Sequence, residues 1–288
     1  SIVVYAKKEK VKNLLIYDAV NKILNKNKIL APKLLNQNYK NNYIEVEDFG
    51  DNTLYKVLKH NKTNKELFFI KILKTLSRLQ LIKDKQILNF NRQKYKVQKY
   101  EDKILLNEAK LFSEWYAPTK INKFQIRKFK KGYQNEVKKL LSKLNLKNDT
   151  FVHRDFHVSN LMYVKNNIAV IDSQDALIGN KTYDLASLVD DVRFKTSNKL
   201  KNKILNNYFK KLTKTEIKEF INDFEILSVL RNLKIIGIFM RLALRDNKKK
   251  YAKMIPYAWE MINYRMRKNR EFNSLKLILK HNFPKFVK

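Results

Sequence analysis

The segment His153-Arg154-Asp155-Phe156-His157-Val158-Ser159-Asn160 sets an aspartate and an asparagine five positions apart in a polar loop that follows a short apolar run. Twelve positions beyond Asn160, Asp172 closes a second apolar run, Ile168-Ala169-Val170-Ile171. Asp and Asn are ordinary turn residues that bond their own backbone, so each alone has a purely structural account. The combination is harder to explain that way. Phosphoryl transfer needs one carboxylate beside the attacking hydroxyl and two oxygen ligands that hold a divalent cation against the phosphates. Asp155, Asn160 and Asp172 supply that set, and a hairpin turning at Asn166-Asn167 returns Asp172 alongside Asn160.

The flanking chain must position this loop. Ile2 to Ala6 reads as a short β-branched strand, and Val11 to Lys26 as a helix with apolar residues near a 3.6 period, broken at Ala31-Pro32. A strand over Tyr43 to Glu47 follows, ending in the turn Asp48-Phe49-Gly50-Asp51. Helical periodicity then runs through Leu54 to Leu58, Leu67 to Leu81 and Leu105 to Tyr116, and Gly132 precedes a further helix over Tyr133 to Leu144. Short strands around residues 150–153, 161–164 and 168–172 frame the polar loop, and from Tyr183 to Phe283 the period is helical almost throughout.

The expected fold class is α+β: a small strand-containing part, residues 1–50, and a large helical body, residues 51–288, which carries the loop 153–160 and the segment 171–176. With 288 residues and 44% apolar content the chain can bury a substantial core. It has no cysteine, which excludes disulfides and thiolate metal sites and suits a reducing compartment. It has no run of about twenty apolar residues and no signal-peptide order, so the expectation is a cytoplasmic protein without a membrane partner. The formal charge of +35 invites a polyanion contact through the basic surface. Yet lysine and asparagine are used along the whole length, as in Lys40-Asn41-Asn42 and Lys199-Leu200-Lys201-Asn202-Lys203, without aromatic interleaving, and a solvated surface explains that pattern as well.

The strings His153-Arg-Asp-Phe-His, Asn160-Leu-Met, Gln174-Asp-Ala and Tyr183-Asp-Leu resemble the aminoglycoside phosphotransferase and choline kinase superfamily. Within it they resemble most the anomeric kinases of N-acetylmuramate and N-acetylglucosamine. Glu47-Asp48-Phe49-Gly50-Asp51, Leu111-Phe112-Ser113-Glu114-Trp115-Tyr116 and Gly237 to Leu242 agree with that subgroup. The resemblance implies a protein-kinase-like, two-lobed fold using ATP and Mg²⁺ to phosphorylate the C1 hydroxyl of an amino sugar. It makes Asp155 the catalytic carboxylate, Asn160 and Asp172 the metal ligands, and His153 and Asp184 braces of the loop. The main-chain groups of Glu47 and Phe49 become adenine contacts. His157, Asp175, Glu114, Trp115 and Arg241 are the candidate substrate contacts, with Arg245 one turn beyond Arg241.

The chain departs from the superfamily in two respects. It has four glycines and no Gly-rich phosphate loop, so a phosphate-covering hairpin is expected either upstream of Ser1, which is not a Met, or without glycine. Lys7, Lys8, Lys10 and Lys12 compete for the place of a phosphate-pairing lysine, and the helix after them offers only Asp18 as a partner. Two alternatives stay open: a phosphotransferase for an aminoglycoside, a choline-like alcohol or another hydroxyl, and an RNA- or protein-binding module associated with tRNA modification.

Overall fold

The computed structural model describes residues 1–6, 13–60, 64–210 and 212–287; the lysines between positions 7 and 12 lie outside them. Along the chain run β1 (Ile2–Tyr5), α1 (Asn13–Lys26), β2 (Leu34–Asn38), β3 (Tyr43–Val46), α2 (Leu54–Lys59), α3 (Lys65–Gln80), β4 (Gln86–Leu88), β5 (Lys94–Lys96), α4 (Asp102–Leu111) and α5 (Ile126–Leu141). There follow β6 (Asn148–Val152), β7 (Leu161–Val164), β8 (Asn167–Val170), β9 (Leu177–Asn180), α6 (Thr182–Val189), α7 (Asn198–Phe209), α8 (Lys214–Leu244), α9 (Ile255–Met266) and α10 (Asn273–Asn282). These form two compact units. The first comprises residues 1–99, 147–188 and 198–210; the second comprises residues 100–146, 189–197 and 211–288.

In the first unit, β1 and β2 both pair antiparallel with the central strand β3. Leu14 of α1 packs with Ile44 and Val46 of β3, and Val4, Tyr17 and Leu34 close over them. The strand β2 is not evident from its sequence, because Leu34-Leu-Asn-Gln-Asn lacks the β-branched residues that mark strands. The helices α2 and α3 start where caps supply an acceptor: Thr53 Oγ1 takes Lys56 N–H at 3.3 Å and Asn64 Oδ1 takes Leu67 N–H at 3.3 Å.

The β7–β8 hairpin turns through Lys165 and Asn166, at φ 44° and 66°, while Asn167 already pairs with Val164. The turn thus lies one residue earlier than Asn166-Asn167, since a two-residue loop of this kind requires positive φ at both central positions. Two connections lean on the hairpin: Leu30 O accepts from Val170 N–H at 2.8 Å, and Asn52 O accepts from Tyr163 N–H at 2.9 Å. A second small sheet pairs β6 with β9, a strand that sequence patterning did not anticipate.

In the second unit, α8 runs for 31 residues with buried side chains on most of its faces. A capping box at Thr213 and Glu216 starts it. A buried ion pair anchors it: Asp190 accepts from Arg265 Nε at 2.7 Å and from Ser228 Oγ at 2.6 Å. Removing one partner of such a pair costs about 3–5 kcal/mol, because the other is left charged and buried. Gly132 does not precede a helix; it lies inside α5, which begins at Ile126, and a side chain there would come within 3.5 Å of Ile278 Cδ1. Tertiary packing has overridden its low helix propensity. Among the described residues no helix is long and apolar enough to cross a membrane.

Candidate active site

The loop after β6 is held by a carboxylate and a histidine. Asp184, buried on α6, accepts the backbone N–H groups of His153 at 2.7 Å and Arg154 at 2.9 Å. Those two bonds hold Arg154 at φ 74°, a left-handed conformation that costs a β-carbon-bearing residue about 1 kcal/mol or more. The peptide that follows is thereby turned, and Asp155 is presented half-buried at the start of the loop. His153 is fully buried, and its Nε2 donates to the Ile171 carbonyl at 3.0 Å, joining the loop to the chain just before Asp172. Burial lowers the His153 pKa, opposed by the nearby charges of Asp155, Asp172 and Asp175 and by the Ile171 carbonyl. With a carbonyl as partner, Nε2 carries the proton of the neutral ring.

His157 is buried too; its N–H donates to Asp155 O at 3.0 Å and its carbonyl accepts from Asn160 N–H at 2.9 Å. The return through the hairpin brings Ile171 N–H to Asn160 O at 3.1 Å. Asn160 Nδ2 donates to Asp155 O at 3.1 Å and reaches Asp172 Oδ2 at 3.4 Å. The amide nitrogen faces protein, so Oδ1 is the atom left to meet a cation. Asp172 is exposed, in a left-handed conformation with φ 61°, and Gln174 Nε2 donates to its Oδ1 at 2.9 Å. Two oxygen donors side by side, with room for phosphate oxygens and water, fit a hard divalent cation. Among the described residues no cluster of three His, Cys, Asp or Glu side chains offers an all-protein metal cage. Asp175 is exposed and lies 3.6 Å from Arg154 Nη1, which donates to its carbonyl at 3.1 Å.

Asn160 and Asp172 open onto a cavity of about 650 Å³ that is built wholly within the first unit. Its walls include Val4, Leu14, Tyr17, Val46 and Met162, and its rim is Glu47 to Asp51. The cavity therefore joins an apolar slot to a pair of cation ligands. Glu47 N–H is used by the Lys33 carbonyl at 2.9 Å, so the main chain of Glu47 has only its carbonyl to offer there. Its side-chain Oε2 is buried without a hydrogen-bond partner.

Two contributions have no signature in the sequence. Ser173 Oγ donates to Asn21 Oδ1 at 2.6 Å, fixing the segment after Asp172 to α1 across 152 positions. Tyr17, also on α1, faces the cavity; burial raises its hydroxyl pKa, its bond with Asn21 acts against that, and the Asp172 charge adds to the rise. Gln174, by contrast, was visible as part of the Gln174-Asp-Ala string without an assigned task.

Glu114, Trp115 and Arg241 belong to the second unit. Glu114 and Trp115 lie on a π-helical turn, Phe112–Tyr116, with Glu114 exposed and Trp115 half-buried. The turn starts against α8: a Cβ on Gly237 would stand 2.3 Å from the Leu111 carbonyl carbon, so only glycine admits that backbone. Arg241, one turn further along α8 on the same face, has its Nε buried without a hydrogen-bond partner. Arg245 is exposed and bonds its neighbour Asp246 through Nε at 2.7 Å and Nη2 at 3.0 Å.

An ADP-bound aminoglycoside phosphotransferase, APH(2″)-Ib, has the same fold: TM-score 0.55 at 17% identity, covering 90% of this chain and 87% of that one. The fold class is therefore kinase-like α+β. The APH family of phosphotransferase enzymes matches residues 4–220, and the chain belongs to it. Among its relatives is the N-acetylmuramate/N-acetylglucosamine kinase of Neisseria meningitidis serogroup B, 28% identical over 85% of this chain and 72% of that protein. The N-acetylmuramate/N-acetylglucosamine kinase of Pseudomonas aeruginosa is 29% identical over 78% of this chain and 65% of its own length.

Proposed function

We propose that this chain is an ATP- and Mg²⁺-dependent kinase that phosphorylates the anomeric C1 hydroxyl of an amino sugar of the N-acetylmuramate or N-acetylglucosamine type. The observation that carries the chemistry is the joining of Asn160 and Asp172 to an apolar cavity within one unit, with Asn160 also bonded to the Asp155 carbonyl. The two kinases named above carry the choice of acceptor.

On this reading Asp155 accepts the proton of the C1 hydroxyl as its oxygen takes the γ-phosphoryl group, and ADP leaves. Asn160 Oδ1 and Asp172 hold Mg²⁺, which when bound neutralises charge on the phosphates. The Glu47 carbonyl and the Phe49 N–H take the adenine edge, and Val46 and Met162 its faces. His153 and Asp184 hold the loop in register, and residues 1–50 and 51–288 serve as the two lobes. His157 and Asp175 flank the acceptor. Arg241, Glu114 and Trp115 are candidate substrate contacts by the chemistry of their side chains alone, the arginine suiting an anionic substituent and the indole a pyranose face.

The test is incubation of the protein with ATP, Mg²⁺ and each amino sugar, with the product followed by ³¹P NMR. A sugar 1-phosphate that disappears in Asp155→Asn is the expected result. Turnover of a different alcohol with neither amino sugar phosphorylated overturns the acceptor while keeping the reaction class. Salt-sensitive tRNA binding without ATP turnover overturns both.

A further inference from the structure

The first unit holds a second concavity, of about 500 Å³, whose lining has the opposite character. Five of its twelve described lining residues are basic and none of these is acidic, whereas the whole chain has 62 basic and 27 acidic residues among 288. Lys71, Lys74 and Arg78 stand at i, i+3 and i+7 on α3 and so share one face of the helix. Lys28 and Lys33, from the connection between α1 and β2, complete the basic set, and Asn166 at the tip of the β7–β8 hairpin contributes an amide.

One of these cations is positioned by the fold. Lys71 Nζ donates to Asn166 Oδ1 at 2.5 Å and lies 5.5 Å from the centre of the Tyr163 ring; Tyr163 donates its own hydroxyl to the same Asn166 oxygen at 2.8 Å. Among the described residues Lys28, Lys33, Lys74 and Arg78 make no ion pair. Like charges gathered in a concavity repel, and a concave wall focuses their field on an anion inside it.

We propose that this cavity binds a small anion of linked phosphates. Seven residues of helix rise about 10 Å, which exceeds a single phosphate and suits a short phosphate chain reaching from Lys71 to Arg78. Arg78 offers a planar fork for two oxygens, and the lysines act as point charges around it. The site needs no divalent cation, because its own side chains supply the positive charge.

The probe is inorganic triphosphate, titrated calorimetrically into the full chain in the presence of EDTA. Binding of one triphosphate per chain is expected. Its affinity falls at least tenfold in the double variant Lys74→Gln/Arg78→Gln. It is unchanged in Lys249→Gln/Lys250→Gln, which removes the same charge from two exposed positions of the other unit. Kinase turnover stays at the wild-type level in both. Equal weakening in the two double variants, or none in the first, overturns the proposal, as does single-stranded RNA binding through Lys74 and Arg78 with no triphosphate binding. Failure of the amino-sugar assay leaves this result untouched, since the readout is binding without ATP.

Discussion

Two cavities of the first unit are lined by opposite charges among the described residues, although the chain as a whole is strongly basic. The larger one has Glu47, Asp48, Asp51 and Asp172 among its described lining residues and only Lys56 against them. The smaller has five cations and no acid among its described lining residues. On the two proposals above, the difference is how a basic protein would keep two phosphate chemistries apart. On the proposed function, a carboxylate-lined cavity repels phosphates until a divalent cation bridges them, and binding there would depend on that ion. A lysine- and arginine-lined cavity attracts phosphates directly and has nothing to transfer them to. Net charge does not say which cavity is which.

Asp155→Asn tests the catalytic side of that contrast most severely. Turnover should fall about 10³-fold, within the range that a positioned acid or base contributes, with ATP affinity unchanged by calorimetry. Wild-type turnover in that variant would remove Asp155 from the mechanism. Asp172→Asn should lower turnover about 10²-fold, the size of losing one charge-stabilising group, and raise the Mg²⁺ concentration needed for half-maximal rate. EDTA separates the cavities themselves: ATP turnover ceases while triphosphate binding at the basic cavity persists, and loss of both would collapse the distinction. A smaller difference is expected with salt. Between low and high ionic strength, triphosphate affinity should fall in the wild type and far less in Lys74→Gln/Arg78→Gln, because exposed charges are screened over about 10 Å at 0.1 M.

The smallest effect is on stability. The His153 pKa is lowered by burial from its ordinary 6.5, so as pH falls through that value the unfolded chain takes up a proton that the folded one refuses. Stability is therefore fully present above about pH 6.5 and declines below it, by at most about 1.4 kcal/mol per pH unit for this one group. Urea unfolding at a series of pH values should show a shallower decline in His153→Gln; an unchanged slope would mean that His153 titrates alike in both states.

Much of the candidate site was legible because it is local. Asp155, Asn160 and Asp172 lie within eighteen positions, and one hairpin brings the last back to the second. Periodicity also marked α1, α2, α3 and the helical second half. What escaped were features decided by partners far away in the chain. Nothing local distinguishes β2 or β9, which exist because β3 and β6 offer them edges. Gly132 looked like a helix boundary by propensity and lies mid-helix because burial of Phe129, Tyr133, Val137 and Leu140 on the same helix outweighs that preference.

The sequence alone determined the reaction class, since the types and spacing of Asp155, Asn160 and Asp172 follow from covalent order and a short turn. Tertiary structure alone decided which lysines stand out. Lys28, Lys33, Lys71, Lys74 and Arg78 are five basic residues among 62, and the helical spacing of the last three does not bring Lys28 and Lys33 beside them. They converge because the α1–β2 connection, α3 and the hairpin tip surround one concavity, and Coulomb energy depends on distance in space rather than on distance along the chain.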